Sequence, residues 1–250
     1  MSEPGAAPQL ILGASGDIGA QVARQLHAAG SPVFLASRPS DRLEQLAAEL
    51  DAPLAPLDAT DIAQVESVFT RATESLGPLG GVVNCVGSVL LKPAHLTSEQ
   101  EWQDTLATNL TSAFATVRAA GKTMNKTGGS VVLLSSAAAE IGLSNHEAVA
   151  AAKAGVIGLA RSAAASYASR NLRFNVVAPG LVRTKLTKKV WEHERSAAAS
   201  ESLHGLSRLG EPSDIAEVIC WLLQPTAAWV TAQVFTVDGG LSGVKLLPRG

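Results

Sequence analysis

A doubly wound α/β fold, with a parallel sheet of about seven strands covered by helices on both faces, is predicted by three observations. Short apolar runs of strand length alternate along the chain with longer stretches of helical periodicity. The apolar runs are continuous in Val, Ile and Leu instead of alternating in and out, as expected of parallel strands buried on both sides. A length of 250 residues with 46% hydrophobic content is enough for one substantial core, so a single domain over residues 1–250 is expected.

In chain order, "QLILG" is followed by "AQVARQLHAAG", "PVFLAS" by "DRLEQLAAEL", and "APLAPLD" by "IAQVESVFTRATESL". The remaining strands are "GVVNCVG", "SVVLLSS", "LRFNVVAPG" and "QVFTVDGG". Neither an internal repeat, a low-complexity tract nor a linker interrupts this order. The longest stretch without a clear strand runs from Leu181 to about Gly210 and contains "WEHERSAAASESLHG". Its length suits a substrate lid, while its mixture of charges and small residues equally suits a solvated helix.

The formal net charge is −2 and the cations are scattered, which excludes a concentrated basic face for nucleic acid or an anionic membrane and leaves a small molecule as the expected partner. "MSEPGAAP" has neither the basic nor the apolar region of a leader, and no uninterrupted apolar run approaches the roughly twenty residues of a membrane helix, so a soluble, cytoplasmic protein is expected. Cys85 and Cys220 lie in apolar patterns and read as small buried hydrophobes, not as a disulfide. No spacing suggests a zinc site.

The first strand ends in "GASGDIG", Gly13 to Gly19, at the entry to a helix. Glycines there allow a tight turn and a close approach to a pyrophosphate, whose charge the free N–H groups of the helix start stabilise, as in Rossmann-type dinucleotide sites. About twenty residues on, an acid would bind the adenosine ribose and an arginine would accommodate a 2′-phosphate. The chain has Ser37 and Arg38 in "ASRPS", which favours NADP(H) over NAD.

Together these motifs resemble the short-chain dehydrogenase/reductases, close in pattern to the 3-oxoacyl-carrier-protein reductases, over nearly the whole length. The resemblance implies cofactor contacts from Gly13, Ser15, Asp17, Ile18 and Gly19. It further implies contacts from Asp58 and Ala59 in "LDATD", and from Asn84, Val86 and Gly87 in "NCVG". In "APGLVRT" it implies nicotinamide contacts from Pro179, Gly180, Val182 and Thr184. Leu12 replaces the usual threonine, and the middle glycine has moved one place, leaving Gly16 and Asp17. A carboxylate at residue 17 would repel a pyrophosphate, so Asp17 is expected to point away from it.

The family's chemistry uses a tyrosine, a lysine four residues later, a serine that polarises the substrate and an asparagine that supports a relay water. Asn109 in "TNLTSAF", Ser136 in "VVLLSS" and Lys153 in "AAAKAGVIGL" match three of these, with Lys153 also binding the nicotinamide ribose. Val149 stands at the tyrosine's position, counted back from Lys153 and forward from Ser136. Tyr167, the chain's one tyrosine, lies roughly 20 Å beyond Lys153 along the same helix at about 1.5 Å per residue.

His146, seven residues before Lys153 and so on nearly the same helical face, is the candidate replacement. Ser144 and Glu147 have the spacing of a capping box, which would put His146 in the first turn as a neutral N–H donor. His95, His193 and His204 read as surface histidines. Two functions follow: an NADPH-dependent reductase of a small carbonyl or imine without the usual tyrosine, or a catalytically silent NADP-binding sensor or assembly subunit. The resemblance implies a homotetramer or homodimer built through the long helices and the C-terminal strand.

Overall fold

The computed structural model describes residues 6–245, so residues 1–5, read above for a leader, lie outside the described residues. Seven parallel strands form one sheet in the order β3-β2-β1-β4-β5-β6-β7. They are β1 (Gln9–Leu12), β2 (Val33–Ser37), β3 (Leu54–Pro56), β4 (Gly81–Asn84), β5 (Gly129–Leu134), β6 (Leu172–Pro179) and β7 (Val234–Val237). Each strand lies within the apolar run that predicts it, except that β5 begins one residue earlier, at Gly129.

Successive side chains of a strand face opposite sides, and the two layers of the core follow from this. Leu10 and Leu12 of β1 pack with Phe69 and Val65 of α3 (Ile62–Leu76), Val117 of α5 (Ser112–Thr123) and Val156 of α6 (Glu147–Tyr167). Ile11 faces the other layer, with Val22 of α1 (Asp17–Ala28), Leu46 of α2 (Asp41–Leu50) and Ile219 of α9 (Pro212–Leu223). The bounds of α2 and α3 coincide with their periodic stretches, since each begins at a capping side chain: Ser40 accepts from the N–H of Leu43, and Asp61 from those of Ala63 and Gln64.

β1 pairs with β2 on one side and with β4 on the other, at Leu12↔Ala36 and Leu12↔Asn84. The direction of winding reverses between β1 and β4, which opens a crevice beyond their carboxyl ends. α4 (Glu99–Leu106) runs into α5 through a wide π-helical turn, Ala107–Thr111, of the kind that interrupts helices at functional sites. The stretch after β6 carries two short helices, α7 (Lys188–Trp191) and α8 (Glu194–Leu203).

One expectation changes. The Ser144–Glu147 capping box does not form: Asn145 takes a left-handed φ of 64°, His146 becomes the N-cap without a side-chain hydrogen bond, and a Glu147 carboxylate oxygen accepts from the Ala94 N–H instead. The helix over residues 147–170 is long enough, and an 18-residue window of it apolar enough at a mean hydropathy of 1.3, to span a membrane by length and composition. Glu147, Lys153 and Arg161 interrupt that helix, so it is not an uninterrupted apolar run. Half of that window is buried inside the fold, where its alanines pack against strand and helix neighbours.

Candidate active site

Beyond the ends of β1 and β4 lies a cleft of about 560 Å³, within the range of ligand sites. Gly13, Ser15, Gly16, Asp17, Ile18 and Gly19 form one wall, Ser37 and Arg38 the next, and Asp58 and Ala59 continue from it. Cys85, Val86 and Gly87 form the floor, and Thr184 closes the far side.

Two glycines make the first turn possible. Gly13 has φ +81°, and a Cβ there would lie 3.0 Å from the Cys85 carbonyl carbon and the Val86 nitrogen; a Cβ at Gly19 would collide with the Gly13 carbonyl. Gly16 is the N-cap of α1 and no side chain caps the helix, so among the described residues its first-turn N–H groups are open to an anion. Ser15 Oγ and Ser37 Oγ lie 2.5 Å apart, tying this turn to the end of β2. Thr60 hydrogen bonds, and secondarily the charge of Arg38, hold the Asp58 carboxyl below its usual range. The donor set of an uncapped helix start and a cleft-lining guanidinium fits a phosphorylated dinucleotide.

Asp17 does not point away. Its carboxylate spans the mouth of the cleft, accepting from Arg42 Nη2 at 2.7 Å and from the Lys185 N–H at 2.6 Å. Arg42, Lys185, Thr60, Ser88, Thr108 and Leu186 also line the cleft and were not expected from the sequence. Arg42 lies in the first turn of α2, four residues after Arg38 in sequence.

Asn109 and Lys153 lie behind the floor at Gly87, and neither they nor Ser136 line the cleft itself. Lys153 is 6% exposed, and its Nζ donates to the Leu134 carbonyl at 2.8 Å, while Ser135 Oγ donates to the Lys153 carbonyl at 2.9 Å. Burial pulls the ammonium pKa down to about 8. Asn109, in the π-helical turn, is buried; its Nδ2 donates to Ser88 Oγ at 2.9 Å, and its Oδ1 accepts from the Ser88 N–H at 3.1 Å. A Cβ on Gly87 would sit 3.2 Å from Asn109 Oδ1 and 3.5 Å from Lys153 Nζ, so both groups flank the same floor residue. Ser136, after β5, is half-buried, and its Oγ accepts from the Ala138 N–H at 3.2 Å.

Other expected residues stand apart. Asn84 is buried, donating to Thr116 Oγ1 and accepting from the Val86 N–H, and it shapes the floor from below. Pro179, Gly180 and Val182 do not line the cleft; the latter two border a separate cavity of about 190 Å³ beside His204. His204 is not a surface residue: it is 2% exposed, with Nδ1 on the Ser200 carbonyl and Nε2 near the Leu181 N–H, because the chain after α8 folds back onto the end of β6.

Val149 is 4% exposed and sits one turn before Lys153. Tyr167, at the far end of α6, packs on Phe174 with ring centroids 5.7 Å apart. His146 Nδ1 lies 2.8 Å from the Ser144 carbonyl, so a neutral ring spends its one N–H there. The neutral donor expected of His146 is therefore not free, and the residue does not line the cleft. Burial pushes the Cys85 thiol up to about 12, which leaves no thiolate nucleophile on the floor.

Residues 13–242 match the family model described as enoyl-(acyl carrier protein) reductase. The chain belongs to the short-chain dehydrogenase/reductase family. It is thereby an oxidoreductase by family, and the family binds a nicotinamide cofactor. It is 31% identical to 3-oxoacyl-[acyl-carrier-protein] reductase FabG of Escherichia coli (strain K12), over 93% of this chain and 96% of that protein. It is 34% identical to a protein of Xanthobacter autotrophicus named inactive 2-(S)-hydroxypropyl-CoM dehydrogenase 2, over 89% of this chain and 100% of the relative. A solved structure of a variant actinorhodin polyketide ketoreductase with NADPH superimposes with a TM-score of 0.90 at 27% identity, covering 96% of this chain and 98% of that one.

Proposed function

We propose that this short-chain dehydrogenase/reductase is an NADPH-dependent reductase of a small imine or carbonyl that works without a phenolic proton donor. The observation that carries the reading is that Asn109 and Lys153 meet behind Gly87, on the floor of a phosphate-ready cleft, while residue 149 is a buried valine. When bound, the nicotinamide supplies hydride. Ser136 Oγ, an acceptor for the Ala138 N–H, keeps its own proton to donate to the substrate heteroatom. Lys153 gives the site a cation that titrates near neutral pH and holds the nicotinamide ribose. Val149 is buried and its methyl groups carry no proton to give. An iminium arrives already protonated, so the missing phenol harms its reduction less than that of a ketone.

Arg38 on the cleft wall, with no acid at Ser37, supports NADP over NAD, as does the NADPH-bound ketoreductase among the structural neighbours. Arg38→Ala is expected to weaken NADPH binding while sparing NADH, shifting the ratio of their dissociation constants by about tenfold; an unchanged ratio would reassign the 2′-phosphate contact. His146→Ala is expected to leave turnover and NADPH affinity nearly unchanged, because the ring is committed to Ser144; a steep drop in turnover would restore imidazole as the donor.

A second reading, a silent NADP-binding protein, draws on the relative named inactive. Steady-state oxidation of NADPH with cyclic imines, ketones and quinones separates the two: tight binding with no turnover on any of them favours the silent protein. We further place the protein in the cytoplasm, consistent with two free thiols, and read it as a homotetramer or homodimer. Wholly exposed Trp229 and partly exposed Trp221, which stacks edge-on against Phe235 of β7, support assembly at the C-terminal strand.

A further inference from the structure

We propose that Asp17 is a built-in competitor for the cofactor's phosphates: its carboxylate straps Lys185, at the root of the lid, to the first turn of α1 until a dinucleotide displaces it. This rests on the NADPH reading above.

The strap joins three elements around one opening. Asp17 is the first residue of α1, Arg42 lies on α2, and Lys185 follows β6, 168 residues away in sequence from Asp17. The two bonds, 2.7 Å to Arg42 and 2.6 Å to the Lys185 N–H, are charge-assisted and short. All three residues line the cleft.

Arg42, the Lys185 N–H and the open start of α1 are the kinds of donor that a pyrophosphate uses, and Asp17 takes two of them for itself. A carboxylate at this spot also repels a second anion, and more strongly than in bulk water because part of the pair is screened from solvent. Phosphate binding therefore requires the Asp17 side chain to release both partners and turn outward.

Release at Lys185 reaches the lid. Trp191 Nε1 donates to the Thr184 carbonyl at 3.1 Å, and Thr184 and Thr187 hydroxyls lie 2.9 Å apart, so residues 184–191 form one hydrogen-bonded unit. The Arg183 guanidinium sits 5.5 Å from the Trp191 ring and adds to it. What frees the Lys185 N–H frees the near end of that unit.

The test compares the full-length wild type with Asp17→Gly and Asp17→Asn, by stopped-flow NADPH fluorescence and by tryptic cleavage at Lys185, Lys188 and Lys189 before cofactor is added. Asp17→Gly is expected to bind NADPH at least about fivefold faster and more tightly, and to be cut faster in the lid. Asp17→Asn, which keeps an acceptor for the Lys185 N–H but loses the charge, is expected between the two. Wild type that binds NADPH, together with variants that associate no faster, overturns the strap and leaves the cofactor reading standing. Unaltered tryptic cleavage in both variants overturns it without reference to cofactor. Wild type that fails to bind NADPH overturns the cofactor reading and the strap with it.

Discussion

Val149→Tyr is expected to raise the reduction of a small ketone by at least about a hundredfold, the usual contribution of a positioned acid–base group. Residue 149 is one helical turn before Lys153, so a phenol placed there lies beside an ammonium that stabilises its phenolate and lowers its pKa. Asn109 and Lys153 already meet at Gly87 and Ser136 is retained in the sequence, so the substitution supplies the one missing side chain. The valine is buried, and a ring that stayed in its pocket would overpack the core at a cost of about 1–3 kcal/mol. NADPH oxidation with a ketone and thermal unfolding should be measured together. A stable variant that gains no ketone reduction would show that the scaffold has lost more than the phenol.

Lys153→Met is expected to weaken cofactor binding and yet stabilise the protein at pH 7. Burial lowers the lysine pKa from 10.5 to about 8, so the unfolded chain binds its proton more tightly than the folded one. Below pH 8 the folded state carries the full burden of a buried charge; the burden is relieved as pH rises through 8 and is gone above 10.5. At pH 7 it amounts to about 3 kcal/mol. The variant leaves the Leu134 carbonyl without its donor, which takes back about 1 kcal/mol. A net gain of about 2 kcal/mol by urea unfolding at pH 7 is expected, turning into a loss of about 1 kcal/mol above pH 10.5, where only the missing hydrogen bond remains. A variant less stable than wild type at pH 7 would mean that the ammonium is better solvated than its burial suggests.

The strands were legible because buried parallel strands leave short, largely apolar runs, and α2 and α3 because their periodic stretches begin where the Ser40 and Asp61 side chains cap the helices. The cleft was legible where a local motif encodes it: Gly13 and Gly19 are required by backbone contacts that no other residue permits. Long-range partners were not. Asp17 turns across the cleft because of Arg42 and Lys185, 25 and 168 residues away, and no local rule connects them. The start of α6 was misread for a similar reason. Ser144 and Glu147 have the spacing of a cap, but Asn145 bends the chain and Ala94, far back in sequence, takes the glutamate. His204 is buried by the return of the chain onto β6, which its own charged, small-residue neighbourhood does not foretell.

The π-helical turn at Ala107–Thr111 joins α4 and α5 into one continuous rod that holds a residue more than an α-helical ladder would. Deleting a single residue from it would close the rod into ordinary helix and swing α4 by about 100° around the common axis. Glu101, whose carboxylate now meets Lys92 at 2.8 Å, would be carried off its partner, while α5 stayed docked on the sheet. One surplus residue beside Asn109 thus sets the rotational phase of an entire helix.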